Sequence, residues 1–254
     1  MHILVTNDDG VFAPGLLALV KELREIGKVT VVAPDRNWSA SGHVKTLSRP
    51  LRVEDVTLAD GSPAKACDGA PSDCVGLACM GLLDDPVEMV VSGINPNANL
   101  GHDVTYSGTV TAAMEAVIWN LPGLAVSMDA PEYHQGALDF STAAKAGANV
   151  AKLIWENKLP KNTLLNVNVP YCSLDQLNGY RITRQGLRLY HDQLIKREDP
   201  QGRPYYWIGG DAPTGVPDEG TDIGALNQKF VSVTPLSLDL TAYDLKEKLT
   251  GWNY

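Results

Sequence analysis

An open α/β sheet, mostly parallel and with helices on both faces, is the fold this sequence predicts. Short β-branched and apolar runs recur along the chain, segments with apolar residues three or four apart separate them, and Pro and Gly punctuate the joins. The chain has 254 residues, about 1.7 times a rough 150-residue domain, so we expect residues 1–254 to form one domain. Its sheet core is expected over roughly 1–180, with a protruding hairpin and a C-terminal arm over roughly 181–254.

The first run, His2 to Thr6, ends in Asn-Asp-Asp-Gly, and Pro14 to Ile26 follows with a helical stripe of Leu16, Leu17, Leu19, Val20, Leu23 and Ile26. Lys28 to Ala33 repeats the strand pattern and breaks at Pro34-Asp35-Arg36-Asn37, completing a βαβ unit whose crossover is right-handed. Val44 to Ala66 reads as a small antiparallel excursion beside the sheet, because Pro50, Gly61 and Pro63 cut it into short pieces. Pro71 to Leu83 is expected to be helical, with Pro at its first position. The alternation continues with a strand at Glu88 to Val91, a helix at Gly108 to Trp119, a strand at Gly123 to Met128, a long helix at Ala137 to Glu156 and a strand at Thr163 to Val169. From about Gln185 to Thr221 the chain is rich in Gly and Pro, and the turn Asp199-Pro200-Gln201-Gly202 before Tyr205-Tyr206-Trp207-Ile208 predicts a protruding hairpin. Phe230 to Leu236 is the last strand, and Leu245, Leu249 and Trp252 give a terminal helix one apolar stripe.

Composition excludes several classes. No uncharged apolar stretch of about 18 residues exists to span a bilayer, and with no basic or long apolar run and carboxylates at Asp8 and Asp9 the first residues are not expected to be a secretory signal. The net charge is −9, and no basic run exceeds Lys196-Arg197, so a nucleic-acid polymer is not an expected partner. Cys67, Cys74, Cys79 and Cys172 form no C-x-x-C pair, which suits buried free thiols in a reducing cytoplasm. His43, His102, His134 and His191 stand singly on polar stretches and are expected to make surface or hydrogen-bonding contacts.

Ligands of an open α/β sheet bind outside the carboxyl ends of its strands. Here those ends carry Asn7-Asp8-Asp9-Gly10, then Asp35-Arg36-Asn37-Trp38-Ser39, then Ser92-Gly93-Ile94-Asn95. Every donor in that set is oxygen, so an ion held there would be hard, Mg²⁺ or Mn²⁺ or Ca²⁺ rather than Zn²⁺. The competing reading makes Asp8 and Asp9 plain turn residues. Ser107, Gly108 and Thr109 open an Ala-rich helix, where consecutive amides and a glycine suit a phosphate. Simple capping by Ser107 or Thr109 explains the same residues.

These residues resemble the SurE family. The likeness runs through Ile3 to Gly10 with Ala13-Pro14-Gly15, Val32 to Asn37 with Ser39, and Val91 to Asn95 with Asn99-Leu100-Gly101. It continues through Asp103-Val104, Tyr106 to Val110 and Ala112-Ala113, then Asn166 to Pro170, Thr221-Asp222 and Ser232 to Leu236. The resemblance implies a Rossmann-like, metal-dependent phosphatase that hydrolyses nucleoside 5′- and 3′-monophosphates, with short polyphosphate as a further substrate. It implies one divalent cation per subunit, Mg²⁺ or Mn²⁺, on Asp8, Asp9, Ser39 and Asn95, with Asp8 and Asp9 catalytic. It also implies phosphate on Asn95, Ser107, Gly108 and Thr109, and a homodimer or homotetramer built through exchanged C-terminal segments. The chain departs from the family pattern at Ala40, Asn97 and Ala116, where glycine is usual, and at Gly42, near a usual serine. Asn97 is expected to take a positive φ as glycine does.

Two rival enzyme classes fit less well. An aspartyl-phosphate phosphatase needs Asp-x-Asp after the first strand, and Asn7 stands in the first of those places. A dinucleotide enzyme needs G-x-G-x-x-G there, which is lacking. Outside catalysis, a metal- and nucleotide-sensing binding module is the alternative.

Overall fold

A computed structural model describes residues 1–252. The chain forms β1 (His2–Thr6), α1 (Pro14–Arg24), β2 (Lys28–Pro34), β3 (Val53–Thr57), β4 (Pro63–Cys67), α2 (Pro71–Leu77) and β5 (Met89–Asn95). There follow α3 (Gly108–Ile118), β6 (Gly123–Asp129), α4 (Ser141–Glu156), β7 (Leu164–Pro170), β8 (Tyr180–Ile182) and the pair β9 (Arg188–Glu198) and β10 (Pro204–Gly215). The last elements are α5 (Asp222–Asn227), β11 (Val231–Leu236) and α6 (Tyr243–Thr250).

Nine strands make one sheet in the order β3-β4-β2-β1-β5-β6-β7-β11-β8. From β4 to β7 every neighbouring pair is parallel, while β3 and β11 run antiparallel to β4 and β7. The excursion expected beside the sheet is therefore its edge, extending it through β4. The connections leave β1 in opposite directions, to β2 on one side and β5 on the other, so the topological switch point lies between β1 and β5. Thr6 pairs with Ser92 across that join, which sends the residues after both strands into one crevice.

Side chains alternate between the two faces of β1, as the strand period requires. Ile3 and Val5 pack in the core under α1 and α4, with Leu16, Leu19, Ala143 and Ala151. Leu4 packs on the other face with Val75 of α2 and Ala112 and Ala116 of α3. A Cβ at Gly147 would stand 3.0 Å from a methyl of Val126, so glycine lets α4 lie close on β6. The predicted layering, helices on both faces, holds.

Some boundaries differ from those the sequence predicts. The long helix begins at Ser141 rather than Ala137. Asp139 accepts a hydrogen bond from the Ser141 amide at 2.8 Å, and Phe140 is buried, so the residues before Ser141 form a turn instead. The α-helix from Pro71 ends at Leu77 and passes into a π-type turn over Ala78–Leu82, where Gly81 takes φ 109°. The terminal helix stops at Thr250, so Trp252 lies beyond it and the predicted stripe keeps Leu245 and Leu249. Of the four free cysteines only Cys67 and Cys74 are buried. Asn97 keeps a negative φ, whereas Ala40 is left-handed at φ +57°.

Candidate active site

Asp8 lies two residues past the end of β1 and is 3% exposed. The turn that presents it is closed by Asn7, whose side chain donates to the Gly10 carbonyl at 2.9 Å and accepts from the Gly10 amide at 3.2 Å. Gly10 needs its φ of +106° there, and a side chain would meet the Arg36 backbone at 3.3 Å. The Trp38 amide donates to the Asp8 carbonyl at 2.7 Å, tying the turn to the loop that carries Ser39.

The start of α3 faces this carboxylate. Thr109 Oγ1 donates to Asp8 Oδ1 at 2.5 Å, and a Cβ on Gly108 would sit 2.7 Å from the Asp8 Cβ. Burial raises the Asp8 carboxyl above its ordinary range, and the Thr109 hydroxyl with the Thr109 and Gly108 backbone opposes that rise. Ser107 caps α3, its Oγ accepting from the Val110 amide at 3.1 Å. The helix start read as a phosphate cradle thus directs Gly108 and Thr109 at Asp8, while Ser107 performs the capping that was the simpler reading.

Asp9 is half-buried, and burial together with the neighbouring Asp8 charge pushes its carboxyl up to about 7. Asn37 Nδ2 donates to Asp9 Oδ1 at 3.4 Å, and the Asn37 carbonyl oxygen of the side chain holds the Ser39 amide at 2.7 Å. Asn95 ends β5, with its amide nitrogen on the Asn97 carbonyl at 2.5 Å. Behind it, Asn168 and Ser127 bind the backbone and side chain of Asn99, each at 2.8 Å, and Asn166 donates to the Asn99 carbonyl, fixing the loop that leaves β5.

Asp8, Ser39, Asn95 and Ser107 line one cavity of about 930 Å³, a size that accommodates a nucleotide. Asp9, Gly108 and Thr109 do not form its wall. Two adjacent carboxylates held against their own repulsion, with a hydroxyl and a carboxamide as the remaining donors, suit a hard divalent cation with open positions. Among the described residues no group of three His, Cys, Asp or Glu converges on a metal position, which limits the carboxylates in such a set to two.

The cavity wall also includes Arg188, Lys229, Asp129 and Tyr171, which the sequence did not single out. Arg188 Nε pairs with Asp103 Oδ2 at 2.9 Å, and Tyr190 Oη donates to Asp103 Oδ1 at 2.8 Å. These residues stand up to 126 positions apart from Asp103 to Lys229 in the chain, and no local pattern links them. His102 lies exposed on the 3-10 turn Gly101–Thr105 and is not part of the wall. His43 binds Glu115 at 3.0 Å and His191 binds Thr214 at 2.9 Å, the hydrogen-bonding roles expected of them.

Known proteins match this chain along its length. The family described as survival protein SurE matches residues 3–192. A protein of Herpetosiphon aurantiacus named 5′-nucleotidase SurE is 55% identical over 255 residues, covering 100% of this chain and 99% of its own. One of the same name from Chloroflexus aggregans is 52% identical, with 100% of both chains covered. The crystal structure of the SurE protein from Aquifex aeolicus superposes with a TM-score of 0.82 at 39% identity, over 98% of each chain. The likeness spans the strand-end turns and the α3 start described above, and the chain belongs to the SurE family.

Proposed function

We propose that this chain is a 5′-nucleotidase that hydrolyses nucleoside 5′-monophosphates, and 3′-monophosphates with them, to nucleoside and phosphate. Relatives that are 55% and 52% identical across the full chain carry that name. The observation that supports the chemistry is Asp8, buried at the switch point and held by the first turn of α3 at the wall of a nucleotide-sized cavity.

Asp8, Asp9, Ser39 and Asn95 would hold one Mg²⁺ or Mn²⁺ per subunit. A divalent cation bound there supplies the positive charge that a phosphate dianion needs. Asp8 and Asp9 are the catalytic carboxylates, orienting the attacking oxygen toward phosphorus. Asn95 and Ser107 meet the phosphate at the cavity wall, and Gly108 and Thr109 serve it by holding Asp8 in place. Short polyphosphate presents the same terminal phosphate and is a further substrate of the same site.

We also infer a homodimer or homotetramer. β9 and β10 pair only with each other among the described strands, and Leu194, Trp207 and Ile208 on them are 74%, 64% and 83% exposed. A hairpin with such a surface suits burial against another copy. No helix of the described chain is long and apolar enough to cross a membrane, and four free thiols suit the cytoplasm.

The test is phosphate release from a panel of nucleoside monophosphates after EDTA treatment, with and without added Mn²⁺ or Mg²⁺. Turnover is expected only with the cation, and Asp8→Asn is expected to lower it by at least about 100-fold with the fold intact. Full activity in chelated protein or in Asp8→Asn overturns the reading of the site, while nucleotide binding without any turnover favours a sensing module.

A further inference from the structure

The loop that carries Ser39 has no regular structure between the end of β2 at Pro34 and the start of β3 at Val53, and most of its side chains are exposed. Loops of that length without structure of their own are uncommon in compact domains and depend on specific tethers. Between Ser39 and Thr46 the tethers of this loop fall on the approach to α3, on α3 itself and on α2. The Gly42 amide donates to the Tyr106 carbonyl at 2.9 Å, and Thr111 Oγ1 donates to the Gly42 carbonyl at 3.1 Å. Further along, Thr46 gives Asp73 two bonds, from its amide at 2.9 Å and its hydroxyl at 2.6 Å.

Between those tethers stands Glu115, a carboxylate 1% exposed in an otherwise Ala-rich helix. His43 Nε2 lies 3.0 Å from its Oε2, and Lys45 Nζ donates to its Oε1 at 2.9 Å. Trp119 Nε1 donates to the same Oε1 at 2.9 Å, one turn along the helix. Two of its three partners therefore come from the Ser39 loop. Burial opposes ionisation, yet the bonds from His43, Lys45 and Trp119 hold its carboxyl down at about 2, so it is an anion at any working pH. Seven residues from the α3 start at about 1.5 Å each put it about 10 Å from Gly108, too far to touch a phosphate at the cavity wall.

A buried anion is retained only where its partners are held well, and here it holds a segment that would otherwise be loose. Ser39 is held on its near side by the Trp38 amide on the Asp8 carbonyl, and beyond it the backbone turns through left-handed conformations at Ala40 (φ +57°) and Gly42 (φ +62°), so its place is set from both sides and depends in part on the tethers beyond it.

We propose that Glu115 is a positioning residue: by clamping His43 and Lys45 to α3 it sets where Ser39 stands, and so tunes the affinity of the site for its divalent cation. This rests on the reading of Ser39 as a cation ligand, and its test separates the two.

Metal-free wild type, Asp8→Asn, Glu115→Gln and Lys45→Met are compared by Mn²⁺ binding, read as loss of the free-ion electron paramagnetic resonance signal, and by amide hydrogen exchange. Removing the support behind a ligand typically weakens metal affinity 10–100-fold, so Glu115→Gln and Lys45→Met are each expected to weaken Mn²⁺ binding about tenfold. Amides 39–46 are expected to exchange faster in both, with those of 71–77 unchanged. Lys45 is half-exposed, so Lys45→Met keeps the test open should Glu115→Gln fail to fold. Wild-type Mn²⁺ affinity and unchanged exchange at 39–46 in a folded variant overturn the proposal. Equal loss of protection at 39–46 and 71–77 overturns it too, since Glu115 would then only pack α2 on α3. If wild type takes up no Mn²⁺, or Asp8→Asn binds it equally well, the cation reading falls, and the exchange data still decide whether Glu115 clamps the loop.

Discussion

Gly108 offers the sharpest test of how α3 and Asp8 cooperate. An added Cβ would lie 2.7 Å from the Asp8 Cβ and 3.0 Å from its Oδ2, where ordinary contact begins at 3.4 Å. Gly108→Ala must therefore move helix and turn apart by about 0.7 Å, and neither yields easily. Asp8 is tied through its carbonyl to the Trp38 amide, and the other face of α3 is packed in the core through Ala112 and Ala116. Overpacking of this kind costs about 1–3 kcal/mol in stability, and displacing a catalytic group by about 1 Å costs about 100-fold in rate. Gly76→Ala on α2 is the matched control, because its Cβ meets only side-chain ends at 3.7 Å or more. It is expected to be neutral or to stabilise by about 0.5–1 kcal/mol. The assay is kcat/KM for nucleotide hydrolysis at saturating Mn²⁺, with thermal unfolding alongside. A drop of about 10–100-fold is expected for Gly108→Ala and none for Gly76→Ala. Wild-type kcat/KM in Gly108→Ala would refute the claim that close approach of α3 places Asp8.

Three further outcomes follow from the structure. Ala40 holds a left-handed conformation, so Ala40→Gly is expected to stabilise by about 1 kcal/mol, a rise of about 2–4 °C in Tm by calorimetry, and a lower Tm would contradict the strain. The Glu115 carboxyl lies at about 2 against an ordinary 4.5, so its contribution is fully present above 4.5 and lost as pH falls toward 2. Urea titrations should find wild type about 3 kcal/mol more stable than Glu115→Gln at pH 6, the gap closing between pH 4.5 and 2; a gap independent of pH would count against the charge. Trp207→Asp with Ile208→Asp on the exposed hairpin is expected to lower the oligomeric state by light scattering, and an unchanged particle mass would separate the hairpin from assembly.

The central sheet was legible because β1, β2, β5, β6 and β7 are short, largely apolar and β-branched runs, the pattern that burial on both faces favours, with Asn166 and Asn168 as polar interruptions in β7. The strand-end turns were legible too, since Asp8 and Ser39 follow strands by two and five residues and Asn95 ends one. Asn7, which stands where an aspartyl-phosphate phosphatase would carry its first aspartate, closes the Gly10 turn. Less could be read where the meaning of a residue depends on distant partners. Gly108 looked like room for an anion and is room for Asp8. Glu115 was not singled out at all, because nothing near it in sequence tells that His43 and Lys45 come back to cover it. Ala40 and Asn97 carry the same departure from glycine, yet only Ala40 has the positive φ, a distinction set by how each loop is tethered. The three residues of β8 are too few to show a period, and they enter the sheet only because Phe230 to Leu236 supplies an edge beside them.

The charge around the cavity supports the proposal that a cation assists the two carboxylates. Asp8, Asp103, Asp129 and Glu132 face it against Arg188 and Lys229, and Arg188 is already paired with Asp103. A nucleotide phosphate brings two more negative charges. At about 8 Å and an effective dielectric constant of about 20, each like pair costs about 2 kcal/mol before salt screening. The positive end of α3 amounts to about half a charge, and its first turn is turned to Asp8 rather than to the cavity. On the proposed reading, positive charge added beside Asp8 offsets that cost, and the oxygen donors there suit a hard divalent ion. Burial and the neighbouring Asp9 favour neutralising Asp8, while the first turn of α3 opposes its protonation; on the same reading a cation held with the Ser39 oxygen does that neutralising in place of a proton.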